Sequence, residues 1–298
     1  MRQHKLALCS RHFLDWIPEQ TEKFINKYQM FSREDPILIA VSGGKDSLSL
    51  WDILWRLGYI TAGLYIGLGI DAGIAYSTTS QQRAENFAEE RGLILHTFDI
   101  VQNYKYSIPE IANRTRRGKG KPCSVCGLTK RQIMNRFARD NDYRVLITGH
   151  NLDDEAAVLF ANTINWLSGY IVRQGPVLDA HHPGLVRKVK PLFRFYEREM
   201  AAYALLRDIN YVYDECPYAI GAKSIYYKEI LNTLENDRPG AKLNFYLSFL
   251  RAKDEGLFAI EDQRNLVQLG TCPTCEQPTS APGECAFCRL IRAMDTVN

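Results

Sequence analysis

The sequence predicts an α/β protein, a parallel sheet covered by helices and followed by a small cysteine-rich module. Three observations carry that expectation. Short apolar runs alternate with segments of helical periodicity, the first run ends in a glycine-rich loop, and the last stretch holds four cysteines but too few residues for its own apolar core.

Residues Pro36 to Val41 (PILIAV) form a short branched apolar run, the pattern of a buried parallel strand. After the glycines, Asp46 to Leu57 carries Leu50, Ile53, Leu54 and Leu57 at helical spacing. Ile60 to Ile66 reads as a second strand, Thr78 to Arg91 as a polar helix, and Leu93 to Ile100 as a third strand. Arg144 to Gly149 (RVLITG) is a fourth, with a helix from Leu152 to Ile164. Such alternation implies right-handed crossovers and a parallel sheet. Asn113 to Pro122 (NRTRRGKGKP) interrupts it with five cations and two glycines, and reads as a mobile loop. Arg173 to Pro191 is loop-rich, with an edge strand expected at Val186 to Val189. Phe195 to Asp208 and Lys223 to Leu250 read as helical, broken at Pro239-Gly240. The expected division is 1–30, an N-terminal segment and helix; 31–260, the α/β domain; and 268–298, the cysteine module.

The 298 residues suffice for one large domain with small appendages. There is no apolar run of about 18 residues and no signal-like N-terminus, so the reading is a cytoplasmic protein off the membrane. Net charge is only +3, but Lys105 to Arg139 holds ten Lys or Arg against one acid, Glu110. A run of this kind is either a solvated face or a phosphate-binding one.

The loop Ser42-Gly43-Gly44-Lys45-Asp46-Ser47 joins the first strand to its helix. Successive N–H groups there cradle a phosphate, and the helix N-terminus adds partial positive charge. Glycines let the ligand approach the backbone. It is not a Walker A loop, because Asp46 stands where Ser or Thr would follow the lysine. Lys45 suits phosphate neutralisation and Asp46 suits Mg2+.

Six of the eight cysteines fall in Cys-x-x-Cys pairs. Cys123 and Cys126 follow the basic loop, and Cys216 stands alone in Glu215-Cys216-Pro217. The residues themselves leave open a redox dithiol, half a zinc site, or part of an iron–sulfur site. Cys272-x-x-Cys275 and Cys285-x-x-Cys288, nine residues apart, read as a four-thiolate zinc site. That metal would supply folding energy to a segment with little core.

The phosphate loop resembles the SGGxDS motif of the PP-loop ATP pyrophosphatases, whose domain is of the adenine nucleotide α-hydrolase type. The chain as a whole resembles their tRNA 2-thiolation branch. Matching stretches are Leu6 to Cys9, His12 to Trp16, the loop, Cys123 to Arg131, Gly149 to Ala156, Arg173 to Pro176, Glu215 to Pro217, Gly221 to Ser224 and Pro239 to Leu243, in the family's order. The resemblance implies ATP cleavage between the α and β phosphates. It implies adenylation of the C2 oxygen of a tRNA uridine, the T-loop 5-methyluridine, and sulfur transfer to that carbon. It makes Cys123, Cys126 and Cys216 ligands of a 4Fe–4S cluster with one open iron. Asp46, Lys130 and Asp154 become catalytic, and Ile66, Gly149, Lys130 and Asp154 join the loop in binding ATP. Competing roles remain: a persulfide on Cys123 or Cys216, a surface role for Lys130, a helix-capping role for Asp154, and a local hydrogen-bonding role for His150.

The family's N-terminal zinc site is only partly present, as Cys9 and His12 without an upstream pair, so either the chain starts late or the site has been lost. Tyr65 stands where relatives tend to carry His near the adenine, and Asp71 to Tyr76 reads as a longer loop. Arg114, Arg116, Arg117, Lys119 and Lys121 are suited to tRNA phosphates. The resemblance also implies a ubiquitin-like protein thiocarboxylate as sulfur donor, and a homodimer. The alternatives are a wobble-uridine or cytidine 32 thiolase, a PP-loop ligase of another substrate class, and a non-catalytic zinc-dependent RNA binder.

Overall fold

The central strand of the sheet is Ile37–Val41, and its burial on both faces sets the layers around it. A computed structural model describes residues 1–71, 75–119, 122–259 and 269–296. After a 3-10 turn (Arg2–His4) the elements run α1 (Ser10–Lys27), β1 (Ile37–Val41), α2 (Lys45–Arg56), β2 (Thr61–Gly67), α3 (Tyr76–Glu90), β3 (Ile94–Asp99), α4 (Ile100–Tyr104), α5 (Ile108–Arg114) and α6 (Pro122–Asp140). There follow β4 (Val145–Thr148), α7 (Leu152–Ile164), α8 (Ser168–Ile171), β5 (Val177–Leu178), β6 (Arg187–Val189), α9 (Glu197–Leu206), α10 (Lys223–Asp237) and α11 (Ala241–Asp254). The C-terminal module has β7 (Gly270–Thr271), β8 (Pro278–Thr279) and, as α12 here, the helix Ala286–Asp295.

The main sheet has the order β3-β2-β1-β4-β6-β5. Its first five strands are parallel, with Ile37 opposite both Thr61 and Val145, and β5 closes the edge antiparallel to β6. The period-two alternation sends side chains to two cores. Ile37, Ile39, Val41, Ile147 and Val189 meet Trp51 and Leu54 of α2, Met200 of α9 and Phe13 and Ile17 of α1. Leu38, Leu64 and Leu146 meet Met134 and Ala138 of α6. Strand order reverses at β1, whose neighbours β2 and β4 lead away in opposite directions, so a crevice opens at its carboxyl end. That is where Ser42 to Ser47 lies.

The expected strands and helices form within a residue or two of their sequence bounds, except that the last helix runs on from Leu250 to Asp254, and two further differences stand out. The strand at Val186 to Val189 is not an edge: β6 pairs with β4 on one side and β5 on the other. Its cations disguised it, but Val189 is fully buried in the main core. In the basic segment, α5 extends through Arg114, and Thr115 is buried with its hydroxyl donating to Ile111 O at 2.7 Å. Gly118 packs so closely on the Ala112 backbone that a Cβ would meet its Cα at 2.2 Å. A tight turn therefore occupies 115–119; Lys121 lies outside the described residues.

Packing is continuous across residue 30, since Phe13, Ile17, Phe24 and Ile25 of α1 sit in the same core as β1. Residues 260–268, where the other boundary was expected, lie outside the described residues. The C-terminal module borrows its core: Leu290 and Met294 of α12 pack with Ile111 and Val125, and Phe287 meets Tyr104 edge-on at 5.1 Å.

Candidate functional site

The loop after β1 is shaped by close backbone approach. Gly43 has φ +73, in the left-handed region that favours glycine. A Cβ there would lie 2.2 Å from Ser80 O of α3. Gly149, following β4, is pressed on the other side: its Cβ would come within 3.0 Å of Asp46 C and Ser47 N. Inside the loop, Ser42 N donates to Ser47 Oγ (3.1 Å), and Ser47 Oγ donates to Gly44 O (3.0 Å). Gly44 is the N-cap of α2 and offers no side-chain cap, which leaves first-turn N–H groups for an anion.

The carboxylates come from two helix starts. Asn151 caps α7 in a capping box, exchanging bonds with Asp154, and its Nδ2 donates to Asp46 Oδ1 at 3.0 Å. One buried side chain thus sets the spacing of Asp46 and Asp154. Lys45 Nζ lies 3.2 Å from Asp46 Oδ2 and 2.7 Å from Glu197 Oε1, at the start of α9. Lys228 Nζ, from α10, lies 2.6 Å from Asp154 Oδ1 and 3.1 Å from Glu197 Oε2. Burial raises the Asp46 carboxyl above its ordinary value; Lys45 opposes this and Asp154 adds to it. For Glu197 burial also pushes upward, but Lys228 and Lys45 outweigh it and bring the carboxyl down to about 2.

A cavity of about 370 Å³ opens beside Asp46 and Asp154, lined by Ser42, Asp46, Ser47, Ile66, Gly149 and Asp154 on the loop side and by Lys130 and Met134 of α6 opposite, while Lys45 and Glu197 line a neighbouring one of about 520 Å³. Tyr65 also lines it, yet its hydroxyl is committed, donating to Ser77 O at 2.7 Å and sitting 2.7 Å from Ser80 Oγ. It ties α3 to the sheet. His150 Nδ1 is 2.8 Å from Thr148 Oγ1; burial lowers the basicity of this imidazole.

Cys126 lies one turn before Lys130 on α6, which puts the ammonium close enough to act on its thiol. Burial pushes the Cys126 thiol up, Lys130 pulls it down, and Cys216 and Cys123 are close enough to push it up further. Cys123 Sγ donates to Tyr218 O at 3.4 Å, which brings the Cys216 loop to the start of α6. Cys123 is exposed; Cys126 and Cys216 are half-buried. The three thiols therefore lie near one another, with Cys126 one helical turn from Lys130, which itself lines the cavity. Among the described residues only the C-terminal four have ligand atoms all within 4.8 Å of one another. Cys123, Cys126 and Cys216 do not meet that spacing, but three thiolates are a donor set that fits an iron–sulfur cluster.

Cys272, Cys275, Cys285 and Cys288 form a compact four-sulfur set. Cys285 N donates to Cys272 Sγ (3.2 Å) and Cys288 N to Cys285 Sγ (3.4 Å), which favours thiolates, and the donor set fits tetrahedral zinc. Cys9 Sγ and His12 Nδ1 are 3.4 Å apart and exposed, but no third ligand joins them among the described residues. Arg114, Arg116, Arg117 and Lys119 are exposed. Arg117 crowds Arg131, whose guanidinium is lowered first by burial and then by that neighbour. Sequence reasoning singled out neither Glu197 nor Lys228. Glu197 shows only the ordinary acid of a helix first turn, and Lys228 has no local signal.

A family model for the PP-loop domain matches residues 16–220. The chain is 48% identical over 294 residues, 99% of its length and 88% of the relative's, to tRNA-5-methyluridine(54) 2-sulfurtransferase of Thermus thermophilus. It is 41% identical over 294 residues, covering 99% and 90%, to the protein of that name from Pyrococcus horikoshii. Among solved structures, the U34-tRNA thiolase of Methanococcus maripaludis with its [4Fe-4S] cluster superposes with a TM-score of 0.73 at 23% identity, over 85% of this chain and 84% of that one.

Proposed function

The chain belongs to the PP-loop family and, within it, to the tRNA 2-sulfurtransferases, and from that premise we propose that it converts 5-methyluridine 54 of tRNA to its 2-thio form at the cavity between the Ser42–Ser47 loop and Cys126. The observation that supports this reading best is Lys130, which lines the loop's cavity from one helical turn beyond Cys126 and lowers that thiol's pKa. Activation and sulfur delivery then share one small volume.

In this reading ATP lays its β and γ phosphates on the N–H groups of Ser42 to Ser47, with Lys45 offsetting their charge. The uridine O2 attacks the α phosphorus and pyrophosphate leaves. Sulfide sulfur adds to C2, and AMP departs with the former O2. Lys130 stands where charge develops on the transferred phosphoryl and on the leaving oxygen, and stabilises both. Asp46 and Asp154 would hold Mg2+, which prefers carboxylate and phosphate oxygens. Cys123, Cys126 and Cys216 would hold a 4Fe–4S cluster; three protein ligands leave one iron open, and the chemistry it supplies is soft, Lewis-acidic binding of sulfide. Cys272, Cys275, Cys285 and Cys288 would hold zinc, fixing α12 against α5 and α6. Arg114, Arg116, Arg117 and Lys119 face solvent near Cys123 and would meet tRNA phosphates. A ubiquitin-like protein thiocarboxylate as sulfur donor, a homodimeric assembly and a cytoplasmic location complete the proposal. Among the described residues no helix is long and apolar enough to cross a membrane.

The test is anaerobic reconstitution with iron and sulfide, incubation with unthiolated tRNA, ATP and sulfide, and nucleoside analysis. 2-Thio-5-methyluridine together with AMP is the expected product; its absence from a reconstituted enzyme overturns the reading, and thiolation confined to the wobble uridine overturns the choice of base.

A further inference from the structure

Five charged side chains form a row that starts in the loop, with its two ends, Asp46 and Asp154, in the cavity lining: Asp46, Lys45, Glu197, Lys228 and Asp154. Glu197 is its centre, with one carboxylate oxygen on each ammonium. Each ammonium in turn bridges Glu197 to one of the two carboxylates that line the cavity. Lys228 thus stands to Asp154 as Lys45 stands to Asp46, although it arrives on a different helix. All five are half-buried, and Asn151 braces the two ends by bonding to both.

The row holds three carboxylates and two ammoniums. A pyrophosphate group carries more negative charge than Lys45 alone offsets, and Lys45 divides its bonds between two acids. The loop's N–H groups are fixed in the backbone; the only adjustable cations bonded within this row are the two lysines. From this arrangement we propose that Lys228 is a second pyrophosphate-binding lysine, which exchanges its bond to Asp154 for one to the β,γ-phosphates of ATP, and that Glu197 is a positioning residue that holds both ammoniums at the spacing of the two phosphates. The exchange frees Asp154 as the nucleotide enters, so nucleotide binding and exposure of that carboxylate become one event. The proposal rests on the reading of Ser42 to Ser47 as the ATP loop.

Inorganic pyrophosphate is the probe, titrated by calorimetry into the full chain without tRNA. Lys228→Ala is expected to raise its Kd about tenfold, the weight of one charge-assisted hydrogen bond, and to raise KM for ATP by the same factor. Lys228→Arg keeps the charge and recovers most of the affinity; it also serves if the alanine variant folds poorly. Glu197→Gln weakens pyrophosphate binding while leaving both lysines in place. If the wild type binds pyrophosphate and Lys228→Ala binds it equally well, Lys228 is only a counter-ion for Asp154 and the proposal falls alone. If the wild type binds no pyrophosphate, the ATP-loop reading falls and takes the proposal with it.

Discussion

Replacing Gly43 with alanine separates the two demands this loop places on its backbone. The first is conformational: at φ +73 an L side chain costs on the order of 1 kcal/mol. The second is steric. The new Cβ would stand 2.2 Å from Ser80 O, 2.9 Å from Ser80 C and 3.0 Å from Ser80 Cα. A carbon–oxygen contact needs roughly 3.3 Å, so one partner must move by about 1 Å. Ser80 cannot yield cheaply: it is buried in α3, and its hydroxyl meets Tyr65, which is itself anchored on Ser77 O. The loop moves instead, and the N–H groups that cradle phosphate move with it. Overpacking of this kind costs about 1–3 kcal/mol beyond the φ term, a fall in melting temperature on the order of 5 °C. Misplacement by about 1 Å lowers tRNA-dependent AMP release roughly 100-fold. Gly92→Ala is the control. It has φ +62 and nothing within 4 Å of its Cβ, so it bears the conformational cost alone and keeps its activity. Should Gly43→Ala release AMP at the rate of Gly92→Ala, the close approach to Ser80 is not what the loop requires.

Three further perturbations test other parts of the molecule. Cys285→Ala should abolish the bound zinc, read by atomic absorption, and lower the melting temperature, because α12 shares its core with α5 and α6; full zinc occupancy in that variant refutes the four-thiolate assignment. Cys126→Ala should lose iron and 2-thiouridine formation while pyrophosphate affinity stays within about threefold, since the phosphates lie on the loop and not on α6; thiolation at the wild-type rate refutes the ligand role. Lys188 is half-buried, and desolvation first, then crowding by Lys190 and Arg131, brings its ammonium down to about 8 from 10.5. Between those two pH values the unfolded chain binds the proton that the folded chain has released, so this residue makes stability rise with pH across that window. Lys188→Met should remove the rise and be the more stable protein below pH 8, by at most about 3 kcal/mol; identical pH slopes in denaturant melts of the two proteins refute the shift.

What could be read from the sequence were features whose signal is local. Ile37 to Val41 announces a central strand because burial on both faces demands an unbroken branched run. The loop announces itself because its glycines follow that strand directly. The four C-terminal cysteines do so because a tetrahedral site closes within one short segment. The misplaced edge at β6 shows the opposite case. Arg187 and Lys188 look like the gatekeepers of an exposed edge, but β5, only two residues long, covers that side. A pairing so short leaves no pattern of its own.

The row from Asp46 to Asp154 was illegible for a stronger reason. Its members come from α2, the start of α7, the start of α9 and the middle of α10, and no pair other than Lys45 and Asp46 is close in sequence. Charge on a helix surface is the commonest thing a sequence can offer, so Glu197 and Lys228 are indistinguishable there from solvated residues. Only the packing of α10 on α7 and of α9 on α2 makes them neighbours. On the proposed function, the same packing explains why the site draws on helices so far along the chain. In that proposal the loop binds phosphate, and a second lysine and a thiol-bearing segment are both brought to it from beyond β4. The segments that do this, Cys216 to Lys228, run as one stretch from the cysteine edge of the cavity to the phosphate edge. A perturbation at one end of that stretch should therefore be felt at the other. Shortening the turn at Gly221, whose φ of +73 has open space around it, would displace Cys216 and Lys228 together and lower sulfur transfer and pyrophosphate affinity in the same variant.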